Sequence, residues 1–291
     1  MSFEIVTDSS ANLLRSQIDQ IGAHILPLVF FVDGEERRSY YKDSDTDLKV
    51  FYDMMRDGKL ITTSLPHLDE IEKTLRGILE EGKDLLYIGF SSGLSGTFDA
   101  VRGIIEELRT EFPQQKALCV DTLGASLGQG LLVHYAAKKR DEDMSIEDVQ
   151  AWVEENKLHL AHWFTVDDMM YLFRGGRVTK STAWAANLLN IKPVLNMDDE
   201  GHLVPKEKVR GRKKSIKALV SHMRESAIAP VEDQTVFISH GDCLEDAQLL
   251  ERLVRSEFGV KDVVINYVDP VIGAHSGPGT LALFFLATER G

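Results

Sequence analysis

The chain has 291 residues, 43% of them hydrophobic and 27% charged, which excludes a disordered or collagen-like polymer and fits one large or two ordinary globular domains. At this length roughly three quarters of the unfolded surface is buried on folding, so neither disulfides nor a metal are needed for stability. Its 33 Lys and Arg against 46 Asp and Glu leave a net charge of −13, which disfavours nucleic acid and anionic membrane as partners.

In chain order, Phe3–Val6 reads as a short strand that follows Met1 and Ser2, and Thr7-Asp8-Ser9-Ser10 offers cap residues for a helix over Ala11–Ile21. Ala23–Val32 is a single β-rich run closed by Asp33-Gly34. Leu48–Met55 reads as helix, and Leu68, Ile71, Leu75 and Ile78 recur at helical spacing behind Pro66. Leu85–Phe90 is a buried-strand run leading through a Ser/Gly loop to a helix marked by Phe98, Val101, Ile105 and Leu108. Ala117–Val120 is a strand and Leu127–Lys139 a helix. This alternation predicts an α/β, Rossmann-like domain with a mostly parallel sheet over residues 1–160.

The second half changes character. Trp163–Val166 is strand-like, and Val194–Met197 and His202–Pro205 flank Asp198-Asp199-Glu200-Gly201, a hairpin signal. Helices over Lys214–Arg224 and Glu245–Phe258 and strands at Val236–Ile238 and Val263–Val268 complete an α+β domain over residues 161–291. The longest apolar stretches, Ile25–Val32 and Leu281–Ala287, are too short to span a bilayer. The first residues carry no secretory pattern. Cys119 and Cys243 are far apart and lack metal-ligand spacing. The expectation is a cytoplasmic protein with reduced thiols, no metal, no cofactor and no stable membrane insertion.

Ser91-Ser92-Gly93-Leu94-Ser95-Gly96-Thr97 lies between a strand and a helix. Free amides and the helix dipole at such a junction attract an anion, and Ser95, Gly96 and Thr97 add hydroxyls and close backbone approach. Thr62-Thr63-Ser64 before Pro66 is a second hydroxyl-bearing loop entering a helix, and Asp8-Ser9-Ser10 a third. Each also reads as an ordinary capped turn. All three stand at carboxyl ends of predicted strands, so a parallel sheet would bring them to one edge. Arg174 and Arg177 frame Gly175-Gly176, and Arg210, Arg212 and neighbouring lysines form a basic island. Either suits an anionic head group or an acidic partner, or is a solvated face. Asp269–Gly279 reads as a rigid Gly/Pro loop that fixes His275. Gly93-Leu94-Ser95 matches half of the G-x-S-x-G elbow, but Thr97 stands where the last Gly belongs. A serine esterase or thioesterase using Ser95, with His275 as base and Asp8 or Asp121 as orienter, is the enzymatic alternative. An anion-binding module built from the same loops is a third.

Taken together, Ile5–Ser10, Thr62–Pro66, Ser91–Thr97, Arg174–Arg177, Ile191-Lys192-Pro193 with Gly201, Arg210–Lys214 and Gly273–Gly279 resemble, in order along nearly the whole chain, the DegV family of fatty-acid-binding proteins that serve bacterial fatty acid kinases. Leu65 and His67 stand where that family often has Gln and Ser. The resemblance implies two domains with one long-chain fatty acid buried in an apolar tunnel, its carboxylate at their junction. It implies Thr63 and Ser95 on the carboxylate with His275 close by, in segments that include Ser64, Gly96 and Thr97. Arg174 and Arg177, and Arg210 or Arg212, would face the head group or the docked kinase. The implied role is a carrier, not an enzyme, which presents the carboxylate to a fatty acid kinase catalytic subunit for acyl phosphate formation. The chain has no G-x-x-x-x-G-K-[ST] loop, so the ATP site belongs on the partner. At ~0.8 kcal/mol per buried CH₂, an assumed chain of about fourteen offers on the order of 11 kcal/mol before association costs.

Overall fold

The computed structural model describes residues 3–40, 46–180 and 190–291; Met1 and Ser2, read as leading into the first strand, lie outside the described residues. The strand and helix runs of the first half build a four-stranded sheet with every pairing parallel, in the order β2-β1-β6-β7. These strands are β1 (Glu4–Asp8), β2 (His24–Leu26), β6 (Leu85–Gly89) and β7 (Ala117–Asp121). The chain is α/β with a parallel sheet, as its alternation predicts. The first helix is shorter than expected: Ser9–Ala11 is a single 3₁₀ turn, and α1 (Arg15–Ile21) starts after it.

Ala23–Val32 is not one strand. Pro27 has no N–H and a fixed φ, and the run divides there into β2 and β3 (Val29–Val32). The latter joins a separate antiparallel sheet with β4 (Glu35–Arg38) and β5 (Ile61–Ser64). Thr62, Thr63 and Ser64 therefore do not sit in a loop at the edge of the parallel sheet. They are part of β5, paired so that Thr63 faces Phe30. α2 (Leu48–Arg56) packs Phe51, Tyr52 and Met55 beneath this small sheet.

The second half forms a six-stranded sheet ordered β10-β9-β8-β13-β11-β12. It comprises β8 (Leu160–Thr165), β9 (Ile191–Met197), β10 (Leu203–Arg210), β11 (Thr235–His240), β12 (Asp262–Tyr267) and β13 (Leu281–Leu286). Its pairings are antiparallel except β11 with β12. The expected hairpin is β9–β10, and Gly201 in its turn takes φ +80, the region glycine enters freely. The helices α8 (Arg212–Ser226) and α9 (Leu244–Phe258) bury Ile216, Leu219, Leu250 and Val254 against one face of this sheet.

Between the two large sheets lies α5 (Leu127–Asp141), which follows α3 (Leu68–Glu80) and α4 (Thr97–Glu111). Its Leu127, Leu131, Leu132 and Val133 join a single core containing Ile5 and Ile88 of the parallel sheet and Phe164, Leu195 and Phe237 of the six-stranded one. A helix with apolar residues on every side is one buried on every side. The expected Gly/Pro loop around His275 is instead a short helix, α10 (Pro270–Ser276), followed by the Gly277–Gly279 turn. Pro270 occupies its first turn, and the Asp269 carboxylate accepts from the Ile272 and Val271 amides at 3.0 and 3.3 Å, a complete N-terminal cap.

Candidate functional site

The strand β5 and the helix α10 meet side by side, and their contact sets the site. Thr63 Oγ1 lies 2.8 Å from His275 Nε2. Arg177 follows α7 (Met169–Arg174) and brings a guanidinium nitrogen 3.4 Å from His275 Nδ1. Arg177 also donates to the carbonyls of Gly175 and, at 2.8 Å, Leu94. A guanidinium offers only donors, so Nδ1 accepts and Nε2 carries the ring proton. The imidazole then donates to Thr63 Oγ1 and leaves the threonine hydroxyl hydrogen free for a third group. Burial, reinforced by the Arg177 charge, pushes the His275 pKa down to about 4, which keeps the ring neutral near pH 7. Gly175 makes this packing possible, because a Cβ there would stand 2.2 Å from His275 Nδ1.

Ser95 and Thr97 come from the turn into α4. Their hydroxyls are 2.9 Å apart, and Ser95 Oγ also accepts from the Thr97 amide at 3.2 Å. Thr63, Ser64, Ser95, Thr97 and His275 all line one hollow, about 860 Å³ of atom-free space counted out to its opening. Thr63, Ser64, Leu94, Ser95, Arg177 and His275 line both this hollow and an outer groove, which Gly96 and the exposed Arg174 border as well. These six residues are thus the partition between an interior and the outside.

Behind the partition the walls are mostly apolar. Leu28, Phe90, Leu172 and Ile272 close two sides, and the six-stranded sheet supplies a third. Register puts Leu203 beside Met197, Leu195 beside Phe164, Phe164 beside Ala282 and Ala282 beside Ser239, all on one sheet face. Leu203, Met197, Phe164, Ala282 and Ser239 line the hollow, so it runs across four strand spacings of about 4.8 Å, roughly 19 Å. His162 lines it too, and burial drives its pKa down to about 3. Its Nδ1 is 2.9 Å from the Leu160 carbonyl, and its Nε2 accepts from the Ala125 amide at 3.3 Å. The inner hydroxyls of Ser126, Ser239, Ser276 and Thr280 were not singled out from the sequence, since isolated serines carry no local signature.

Other expected residues lie away from the hollow. Asp8 is fully buried and accepts from the Ser10 hydroxyl and amide, the Tyr87 hydroxyl, the Phe90 amide and Gln129. Burial raises its pKa. Asp8, Ser9 and Ser10 do not line the hollow; they organise the core, because β1 ends beneath α5 rather than at the mouth. Arg210 is exposed on β10 and lines neither cavity. Arg212 is held at the start of α8 by Asp246 at 2.8 Å and Asp167 at 3.8 Å, away from both cavities. The hydrolase geometry is not formed either. The Ser95 hydroxyl sits on Thr97, His275 on Thr63 and Arg177, and Asp121 on the Ser92 and Leu123 amides. Among the described residues no group of three or more His, Cys, Asp or Glu could hold a metal ion, and no helix is long and apolar enough to cross a membrane.

Residues 2–288 match a family model described as "Uncharacterised protein, DegV family". The chain is 41% identical over 290 residues to a DegV domain-containing protein of Clostridium perfringens, covering 99% of this chain and 98% of the relative. Among solved structures it is similar to a DegV lipid binding protein from Thermotoga maritima, at 29% identity and a TM-score of 0.86 over 100% of both chains. It is also similar to a DegV family protein from Thermus thermophilus described by its fatty acid binding, at 26% identity and a TM-score of 0.87 over 99% of this chain and 100% of that one.

Proposed function

The chain belongs to the DegV family, and on that premise we propose that it is a carrier that holds one long-chain fatty acid in the hollow and presents the carboxylate to a fatty acid kinase. The observation that carries this reading is the partition. The same six residues face an apolar interior on one side and an open groove on the other. Acyl burial supplies affinity without orienting the ligand. Thr63, with its hydrogen released by His275, and Ser95 supply neutral donors that place the carboxylate at the wall, where another protein can reach it.

The carboxylate then lies where residues 1–160 and 161–291, the two domains of this reading, meet. Thr63, Ser64, Ser95, Gly96 and Thr97 come from the first, Arg177 and His275 from the second. Arg174, exposed at the rim of the groove, faces the docked kinase, and the phosphoryl group comes from ATP bound to that partner. The carrier works in the cytoplasm, beside the kinase.

Native mass spectrometry of the protein, before and after incubation with hexadecanoic acid, tests the binding step. One added mass of the acid is expected, lost on denaturation. A bare polypeptide mass under both conditions overturns the proposal. Adding ATP and a fatty acid kinase to the loaded protein is then expected to yield acyl phosphate, and Arg174→Ala to slow that step without releasing the acid.

A further inference from the structure

The interior of the hollow is not uniformly greasy. Ser126, Ser239, Ser276 and Thr280 line it without reaching the outer groove, and each is at least nine-tenths buried. They form two pairs. Ser126 Oγ and Ser239 Oγ are 3.0 Å apart, and Thr280 Oγ1 donates to the carbonyls of Ser276 and Gly277 at 3.0 and 2.9 Å. Ser239 pairs with Ala282 of β13, and Thr280 immediately precedes that strand. Two features mark this corner as more than incidental. Ser276 Oγ is buried with no protein partner among the described residues, and a buried hydroxyl without a partner is costly. Ser126 sits at φ 56, ψ −147, a backbone region a side chain occupies only under strain, and such strain is held where surrounding structure enforces it. Its hydroxyl does not cap α5; it turns to Asn12 Oδ1 at 2.6 Å and to Ser239.

A plain hydrocarbon chain would leave the Ser276 hydroxyl facing methylenes. We infer that the hollow is shaped for an acyl chain bearing a hydroxyl substituent in its carboxyl-proximal half, received by Ser276 with Ser239 and Thr280 beside it. Ser276 follows His275 directly, so their Cα atoms are about 3.8 Å apart, which ties this polar corner to the mouth and not to the far end. The inference rests on the fatty-acid reading above and specifies the ligand for it.

Isothermal titration of the whole chain with hexadecanoic, 3-hydroxyhexadecanoic and 12-hydroxyhexadecanoic acid separates the two. The expected result is that the 3-hydroxy acid binds about tenfold more tightly than the plain acid, as one buried hydrogen bond gained implies. Ser276→Ala is expected to erase that preference while the plain acid binds at least as tightly as before. Ser239→Ala, on a different element, is expected to reduce it. Equal affinity for plain and hydroxylated acids overturns the inference, as does tightest binding of the 12-hydroxy acid or a preference that survives Ser276→Ala. Equal weakening of plain and 3-hydroxy acids by Ser276→Ala also overturns it, by making Ser276 a carboxylate donor. If none of the three acids binds, the carrier reading itself falls; if the plain acid binds and discrimination is absent, only the inference does.

Discussion

The chain of donors at the mouth is directional. Arg177 fixes the His275 tautomer, His275 donates to Thr63, and the threonine hydrogen is left for the ligand. Thr63→Val keeps the volume and removes that hydrogen. Its expected effect is a loss of tenfold to a hundredfold in affinity for hexadecanoate, the scale of one hydrogen bond to a charged group, read by titration. Retained affinity would mean that Thr63 does not touch the carboxylate. Gly175→Ala attacks the same chain from behind. Its Cβ would overlap His275 Nδ1 at 2.2 Å, so the ring must move away from Arg177. The expected cost is about 1–3 kcal/mol in stability, read by denaturant unfolding, together with weaker binding. A double mutant that is no worse in binding than Gly175→Ala alone would show that both changes break one chain.

At the scale of elements, α5 is the part on which both large sheets depend, and Gln129 is its polar anchor. Gln129 touches the Ser10 hydroxyl at 2.8 Å, Thr7 at 3.0 Å, Asp8 at 3.2 Å and the Ile88 carbonyl at 3.3 Å. Gln129→Leu fits by volume but removes one donor from the buried Asp8 carboxyl and an acceptor of the Ser10 hydroxyl. A loss of about 1–3 kcal/mol is expected in urea unfolding; an unchanged midpoint would show that Asp8 is satisfied without it. The same elements show what local pattern can and cannot reveal. The spacing of Phe98, Val101, Ile105 and Leu108 shows α4 because one buried stripe repeats at 3.6 residues, and the β9–β10 hairpin shows because its turn needs Gly201. The helix α6 (Ile146–Asn156) was missed although Ser145 caps it and Ile146, Val149 and Val153 are its buried positions. The strand β4 could not be read, since Glu-Glu-Arg-Arg has no apolar residue to mark its pairing with β3. At the site, the hydroxyl-rich stretches stood out individually. The pairing of Thr63 with His275 across 212 residues did not, because it depends on a small antiparallel sheet created by the break at Pro27.

For the whole molecule, burial has taken several titratable groups away from their ordinary range, and the signs compete. Burial holds His240 and His275 down at about 4 and His162 at about 3. The unfolded chain protonates these rings near 6.5, so between pH 4 and 6.5 it binds more protons than the folded chain, and stability falls as pH falls through that window. Asp269 works the other way. Burial pushes it up to about 6, so its contribution favours folding in acid and is lost as pH rises through 6. Burial lowers His134 as well and raises Asp8 as well, so four rings stand against two carboxyls and leave a net loss of stability from pH 7 to pH 5. His275→Gln removes one ring from the sum and is expected to make the pH 5 to pH 7 difference smaller by about 1–2 kcal/mol, measured by urea unfolding at both values. An identical difference in the variant would mean that the ring at the mouth already titrates normally. In that case its proton would be open to solvent, and the fixed tautomer that frees the Thr63 hydroxyl for a carboxylate would have no basis.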